Sequence, residues 1–123
     1  MANEDVEIRD LGPRDIIFKQ GDSGAEAFIV EDGLVEISVD SDKGSTLVLS
    51  TIKRGEMFGE MALISSAPRM ATATAMKKTR IIVIPKTAFE KLLSRTDVVM
   101  RTVMNTLIAR LRGQTDRNLK NTL

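Results

Sequence analysis

A carboxylate and a guanidinium stand nine positions apart in the segment FGEMALISSAPRMATATA, which covers residues 58–75. The acid is Glu60 and the base is Arg69, and most residues between them are small, aliphatic or hydroxylated. An arginine neutralises a phosphate through paired, charge-assisted hydrogen bonds, and a carboxylate accepts a hydrogen bond from a sugar hydroxyl. The two residues are therefore a candidate site for a small ligand that carries a sugar and a phosphate.

The backbone around this pair is also suited to an anion. Residues 59–65 are predicted to form one or two helical turns, because strong helix formers lie between a glycine and a serine pair. The N-terminus of a helix offers unpaired amides to an anion, and the small side chains of Ala62 and Ala71 would let a ligand approach the backbone. The alternative is that Glu60 and Arg69 form an ordinary ion pair across a surface loop.

The chain has 123 residues, no cysteine and no histidine, which narrows its chemistry. It therefore lacks disulfides, thiolate metal sites, the commonest general base and the commonest transition-metal ligand. We expect no catalysis, no metal site and no cofactor. No apolar run approaches the ~18 residues of a membrane-spanning helix, and the polar, acidic start MANEDVEIRD is not a secretory signal. We expect no membrane contact, and the composition is compatible with a cytoplasmic location.

The net charge of +1 conceals an uneven distribution along the chain. Through residue 60 there are fourteen acidic and six basic residues, and from residue 61 onward three acidic and twelve basic. Such asymmetry can mark binding to nucleic acids or membranes. The favoured interpretation is that two oppositely charged halves pack on one another. Phenylalanine is the single aromatic type, which argues against a surface that stacks nucleic-acid bases.

Short apolar segments separated by turns predict a β-sandwich or barrel over about residues 11–85. The Asp-Gly pair at residues 32–33 suits a two-residue hairpin, because both turn positions need positive φ. A second turn is expected around the Lys-Gly pair at residues 43–44, and RIIVIP is expected to form the last buried strand. A weak helix near residues 4–9 is expected to precede the barrel.

Two helices are predicted after the last strand, over about residues 86–95 and 97–120. An apolar stripe runs along the second helix, at Met100, Met104, Leu107 and Leu111. The stripe is expected either to pack against the barrel of the same chain, which is slightly favoured, or to form a seam with a second protomer. The pattern as a whole predicts one α+β domain over residues 1–123, with its helices mostly C-terminal.

The segment FGEMALISSAPRMATATA closely resembles the phosphate-binding cassette of cyclic nucleotide-binding domains. That family includes regulatory subunits of cyclic-AMP-dependent protein kinase, cyclic-nucleotide-gated channels and bacterial catabolite activators. The resemblance continues in IIFKQGDSGAEAFIVEDGLVEI, where Gly21 and Gly33 match the turn glycines of the family, and in RIIVIPKTAFEKLL. It covers about residues 11–95 and implies an eight-stranded β-roll or jelly-roll barrel with a short cassette helix and C-terminal helices.

The resemblance implies a role for each residue of the cassette. Glu60 matches the acid that binds the ribose 2′-hydroxyl, and Arg69 matches the arginine that binds the cyclic phosphate. The positions that surround the ligand through backbone groups or flank the arginine are Gly59, Met61, Ala62, Met70 and Ala71. Relatives that prefer cyclic GMP often carry threonine or serine directly after the arginine, so Met70 implies a preference for cyclic AMP. The alternative for Met61 and Met70 is that their side chains only pack in the core.

The tail DVVMRTVMNTLIARLRGQTDRNL resembles the dimerisation helix of the catabolite activators. Those proteins place hydroxyls against the adenine near the end of this helix, and Gln114 or Thr115 is the nearest match. Because the chain has no tryptophan or tyrosine, Leu111 or Arg112 would have to cap the base. The implied function is a regulatory sensor in which the nucleotide shifts the C-terminal helix and so signals to a protein partner or a second protomer.

Two alternatives come from other classes of function. In bacteria this fold commonly serves transcription regulators, which need a helix-turn-helix after the long helix. The sequence stops at Leu123 with no room for that motif, so we expect no direct sequence-specific contact with DNA. The chain would then be the sensor fragment of such a regulator. The other alternative is a scaffold that has lost its ligand, against which the intact Glu60 and Arg69 argue.

Overall fold

The computed structural model describes residues 6–122 of the chain, with the side chains of residues 6–113. The chain divides into two compact units, one that ends at Lys86 and one that begins at Thr87. All the described strands belong to the first unit, and from Thr87 onward the regular structure is helical.

Within the described residues, eight strands form two four-stranded antiparallel sheets. The strands are β1 (Glu7–Leu11), β2 (Ile16–Phe18), β3 (Glu26–Asp32), β4 (Leu34–Asp40), β5 (Thr46–Lys53), β6 (Met57–Phe58), β7 (Thr72–Ala75) and β8 (Thr79–Pro85). One sheet has the order β1-β8-β3-β6 and the other has the order β2-β7-β4-β5. The predicted α+β fold with an eight-stranded roll is confirmed, although two separate sheets make it a roll and not a closed barrel.

The helix expected near residues 4–9 is wrong, because residues 7–11 form strand β1. This strand pairs with β8 in a register that runs from Glu7 opposite Val83 to Leu11 opposite Thr79. The helical signal came from a short segment with little intrinsic preference. A neighbouring strand that offers a full row of backbone donors and acceptors overrides such a preference.

The hairpin expected at Asp32-Gly33 is also wrong, because β3 and β4 lie in different sheets. The chain crosses between the sheets at Gly33, which has a φ of 113°, and Asp32 does not share the positive φ. A Cβ on Gly33 would lie 2.7 Å from the Cα of Thr79, so this crossing requires glycine. The second turn is confirmed, since β4 and β5 pair across it and Gly44 has a φ of 80°.

The core of the first unit draws on both sheets. Its buried cluster consists of Phe28, Val30, Val35, Phe58, Ala73, Ile81 and Val83. Burial of a valine, isoleucine or phenylalanine side chain contributes about 1.5–3 kcal/mol each, so β3 and β8 supply most of this energy. Phe18 packs beside the cluster, and with Phe28 and Phe58 it forms an aromatic cluster whose ring centroids lie 5.1 to 6.1 Å apart.

Two C-terminal helices follow the strands, α1 (Lys86–Arg95) and α2 (Val98–Thr122), and all their residues after Lys86 belong to the second unit. Helix α2 begins one residue later than predicted, because the Asp97 side chain accepts a hydrogen bond from the N–H of Met100 at 3.0 Å and so caps the helix. Of the predicted apolar stripe, Met104 is half-buried and the other three members are exposed. Neither described α-helix has the length and apolar character that crossing a membrane requires.

Candidate functional site

Arg69 lies between a short 3-10 helix, Glu60–Leu63, which we call the cassette helix, and strand β7. Its backbone is held by the turn between β2 and β3. The N–H of Arg69 donates to the carbonyl of Asp22, and its carbonyl accepts from the N–H of Gly21, both at 2.7 Å. The arginine that follows the cassette helix is therefore positioned by a turn far earlier in the sequence.

The side chain of Arg69 is buried. Its Nη1 donates to the carbonyl of Gly59 at 3.1 Å, and its Nη2 donates to the carbonyl of Glu26 at 2.8 Å. Its Nε has no partner, and among the described side chains no other buried nitrogen or oxygen lacks one. Because nearly all buried polar groups are hydrogen-bonded, this enclosed donor is an exception among the described side chains.

The charge of Arg69 has no direct carboxylate partner among the described side chains, whose salt bridges join other residues. The expected alternative, an ion pair between Glu60 and Arg69, is therefore not what the structure contains. Burial lowers the pKa of the Arg69 guanidinium, and the charges of Glu26 and Asp22 oppose that shift. Arginine stays protonated in proteins, so the site contains a buried cation.

Two aromatic rings lie beside the Arg69 guanidinium, which has no direct carboxylate partner among the described side chains. The Cζ of Arg69 is 4.2 Å from the ring centroid of Phe18 and 5.6 Å from that of Phe28. A guanidinium within about 6 Å of an aromatic face gains ~0.5–2 kcal/mol, with the larger values at desolvated sites. Phe18 is thus the nearer of two rings that stabilise the cation.

The cassette helix is a single turn, at the lower end of the predicted length. Gly59 precedes it with a left-handed φ of 69°. A Cβ on Gly59 would lie 3.0 Å from Nη1 of Arg69 and 3.2 Å from the ring of Phe28, so the close approach needs glycine. One turn carries few aligned peptide dipoles, and anion binding here therefore depends more on Arg69 than on the helix.

The predicted cassette residues differ in how far they are exposed. Arg69 and Ala62 are buried, Gly59, Met61 and Ala71 are half-buried, and Glu60 and Met70 are exposed. Ala62 was expected to open the backbone to a ligand, but its methyl group is part of the packed interior. Met70 is 62% exposed, so the core-packing alternative is wrong for this methionine.

The predicted contacts with the base lie on α2. Leu111 and Arg112 are exposed members of that helix. The side chains of Gln114 and Thr115 fall outside the described residues. All four assignments stay predictions.

Several neighbours of Arg69 were not singled out from the sequence, namely Phe18, Asp22, Gly24 and Glu26. Asp22 and Glu26 act through backbone carbonyls, which carry no signal of residue type. A Cβ on Gly24 would lie 2.5 Å from Nε of Arg69. Gly24 could have been noticed in the sequence as a second glycine beside the Gly-Asp turn. Phe18 could not have been recognised as a neighbour of Arg69, because the sequence shows only an aromatic residue in an apolar strand.

Comparisons with known proteins show the family of this chain. Residues 8–96 match the family model of the cyclic nucleotide-binding domain. The cAMP-dependent protein kinase regulatory subunit of Yarrowia lipolytica is 36% identical over 81 residues, which are 66% of this chain and 21% of that protein. The chain spans about a fifth of the length of such relatives.

Solved structures share the fold. The EAL enzyme Bd1971 in its half-site-occupied form has a TM-score of 0.84 and 34% identity, over 89% of this chain and 98% of that chain. Other structures of Bd1971 have cAMP or cGMP bound. The catabolite activator protein of Thermus thermophilus has a TM-score of 0.73 and 28% identity, over 95% of this chain and 55% of that chain.

Proposed function

The chain belongs to the cyclic nucleotide-binding domain family, and we propose that it is a regulatory module that binds cyclic AMP in preference to cyclic GMP. The observation that carries this proposal is the buried Arg69, whose Nε lacks a partner. A cyclic phosphate would supply an acceptor to that donor and a negative charge to a guanidinium without a salt bridge. Charge-assisted pairs of this kind are among the stronger hydrogen bonds in proteins.

The remaining cassette residues have supporting roles in this proposal. Glu60 is exposed at the start of the cassette helix, where its carboxylate is available to the ribose 2′-hydroxyl. Gly59, Met61 and Ala62 contribute backbone groups around the ribose and phosphate, and Met70 and Ala71 flank the arginine. No residue is assigned a chemical step, since the family is one of binding domains.

The preference for cyclic AMP depends on Met70. A thioether gives the amino group of guanine no hydrogen bond of the strength that a hydroxyl gives. Loss of one hydrogen bond costs ~1 kcal/mol, or about fivefold in affinity. Cyclic GMP would therefore bind more weakly but still measurably, which is consistent with the existence of both complexes for Bd1971.

The output of the module is proposed to be a change in the position of α2. A ligand shifts a helix only by binding one of its positions more tightly. In this proposal the base contacts, drawn from Leu111, Arg112, Gln114 and Thr115, provide that difference. The exposed apolar residues of α2 would then engage a protein partner or a second copy of the chain.

A second candidate is the sensor part of a transcription regulator. It is favoured by the similarity to the catabolite activator protein of Thermus thermophilus, of which the chain matches 55%. The nucleotide site would be the same, and a separate element would contact DNA. An electrophoretic shift with long duplex DNA at low salt tests direct binding, and tight binding by this chain would favour the second candidate.

Calorimetric titration of nucleotide-free protein tests the proposed function. Cyclic AMP is expected to bind at micromolar or tighter affinity, cyclic GMP about fivefold more weakly, and 5′-AMP, the control, much more weakly than either. If cyclic AMP gives no heat at several temperatures at which the protein remains folded, the proposal is wrong and a scaffold without a ligand becomes the better interpretation.

A further inference from the structure

Phe18 contacts the Arg69 cation and lies where a side chain at Gly59 would extend. Its ring centroid is 4.2 Å from Cζ of Arg69. A Cβ on Gly59 would lie 3.2 Å from its Cε2 atom, so this ring also bounds the space behind the cassette helix. Phe18 thus packs on the guanidinium beside Gly59, the residue whose carbonyl accepts from Nη1.

The orientation of Phe18 is fixed from the opposite sheet. Phe18 belongs to β2, whereas Phe28 and Phe58 belong to β3 and β6 of the other sheet. Its ring centroid is 5.7 Å from that of Phe28 and 6.1 Å from that of Phe58. A ring with two aromatic neighbours has little freedom to turn, because interiors are close-packed.

The contacts of the guanidinium include no carboxylate of the described residues and leave one donor unused. Nη1 and Nη2 are bound by neutral backbone carbonyls, and Nε is unpartnered. An aromatic face attracts the cation without accepting any of its N–H groups along the guanidinium plane. Phe18 can therefore hold Arg69 in place without using any of its N–H donors, which a carboxylate in the same position would use.

From these contacts we infer that Phe18 is a positioning residue for phosphate binding, whose ring holds the Arg69 guanidinium beside the cassette helix. This inference rests on the proposed function and adds a residue outside the cassette to the site. Phe18 acts through Arg69 and does not touch the nucleotide. Its effect on affinity therefore depends on the presence of the arginine.

The test measures cyclic AMP affinity by calorimetry in three variants at position 18. Phe18→Leu keeps an apolar side chain but removes the aromatic face, and it is expected to weaken binding about tenfold. Phe18→Tyr retains the face and is expected to remain within about twofold of wild type. Pentafluorophenylalanine at the same position keeps the shape of the ring and reverses its quadrupole, so it should weaken binding as leucine does even if Phe18→Leu folds poorly.

Two further variants separate positioning from packing. Phe58→Leu removes a ring of the same aromatic cluster that is not within cation–π distance of Arg69, and it should change affinity by less than about threefold. In an Arg69→Ala background, Phe18→Leu should have no further effect on affinity. Each melting temperature is recorded, since loss of stability alone should be at least as large for the more buried Phe58.

The possible results test the role of Phe18 and the proposed function separately. Equal losses from Phe18→Leu and Phe58→Leu, or a loss from Phe18→Leu that persists without Arg69, would show that Phe18 only packs the core and overturn the inference. Wild-type binding with unchanged affinity in the pentafluorophenylalanine protein would overturn it as well and leave the proposed function intact. If the folded wild type does not bind cyclic AMP, the proposed function and the inference fail together.

Discussion

The guanidinium of Arg69 occupies the space that a side chain at Gly24 would need. A Cβ on Gly24 would lie 2.5 Å from both Nε and Nη2 of Arg69. The φ of Gly24 lies outside the left-handed region, so the backbone itself accepts other residues. The three atoms nearest to such a Cβ all belong to Arg69, so the arginine sets the main constraint on this glycine.

Gly24→Ala is therefore expected to weaken cyclic AMP binding while the fold survives. The added methyl group displaces the end of a flexible side chain, which costs little stability but moves Nε away from the phosphate. We expect roughly tenfold weaker binding and a small change in melting temperature. Calorimetry measures the affinity, and thermal denaturation measures the melting temperature. Ser23→Ala, at an exposed neighbour in the same turn, is the control, and a Gly24→Ala protein with wild-type affinity would contradict this account.

Gly33→Ala is expected to destabilise the fold without changing cyclic AMP affinity. Gly33 has a φ of 113°, and its Cβ would lie 2.7 Å from the backbone Cα of Thr79, which cannot move without shifting β8. A strained backbone and a steric clash with another strand together cost about 3 kcal/mol or more. Chemical denaturation is expected to show this loss of stability. Cyclic AMP affinity of the remaining folded protein should be unchanged, because Gly33 does not contact Arg69.

Arg69→Ala is expected to weaken cyclic AMP binding about a hundredfold and leave the domain folded. A fully desolvated contact from an arginine to a phosphate is worth ~3 kcal/mol. Arg69→Lys should recover only part of the affinity, because an ammonium lacks the planar fork of donors. Calorimetry measures both, with Arg80→Ala as the control, since that exposed arginine pairs with Asp10. An unchanged affinity in Arg69→Ala would refute the assignment of the cassette.

Glu60→Gln tests the ribose contact separately from the phosphate contact. A carboxylate is a stronger acceptor than an amide, so the variant should bind cyclic AMP about tenfold more weakly. For 2′-deoxy cyclic AMP, which lacks the hydroxyl, wild type and variant should agree within about twofold. Competition against a fluorescent nucleotide measures all four affinities. Equal losses for the two ligands would mean that Glu60 acts elsewhere than on the 2′-hydroxyl.

Asp10 makes the stability of the first unit dependent on pH. Asp10 and Arg80 are partners in the β1–β8 pairing, and their side chains form an exposed ion pair at 2.8 Å. The hydrogen bond from Arg80 lowers the pKa of Asp10. The pair therefore stabilises the fold above the unfolded-state pKa of about 3.9, and this contribution is lost as the pH falls through the lower folded-state pKa.

Asp10→Asn should accordingly lower the melting temperature slightly near neutral pH, and its difference from wild type should shrink as the pH falls below the unfolded-state pKa of about 3.9. Thermal denaturation over this pH range is the measurement. Asp42→Asn, at an exposed carboxylate in the β4–β5 turn, is the control. A difference between Asp10→Asn and wild type that does not change with pH would show that the ion pair is not its source.

Local sequence patterns correctly predicted the structural elements that depend mainly on their own residues. The turn at Gly44, the buried strand β8 and the two C-terminal helices follow from glycine placement, apolar runs and helical spacing. The assignment of Glu60 and Arg69 to a ligand site, made from residue type, spacing and the family resemblance, stays a prediction. Sequence reasoning failed at β1 and at Gly33. Strand β1 exists because it pairs with the distant β8, and Gly33 carries the chain from one sheet to the other, and neither relationship is visible in the local sequence.

The sequence by itself determined which residue carries the positive charge of the site and which fold class surrounds it. The tertiary structure alone decided how that charge is held. Arg69 is fixed by the carbonyls of Asp22 and Glu26 and by the ring of Phe18, and Arg69 and Glu26 are 43 positions apart. Backbone carbonyls belong to every residue, and an aromatic ring in a strand has the same local pattern whether it packs a core or faces a cation. Only the folding of the two sheets brings these groups to the guanidinium.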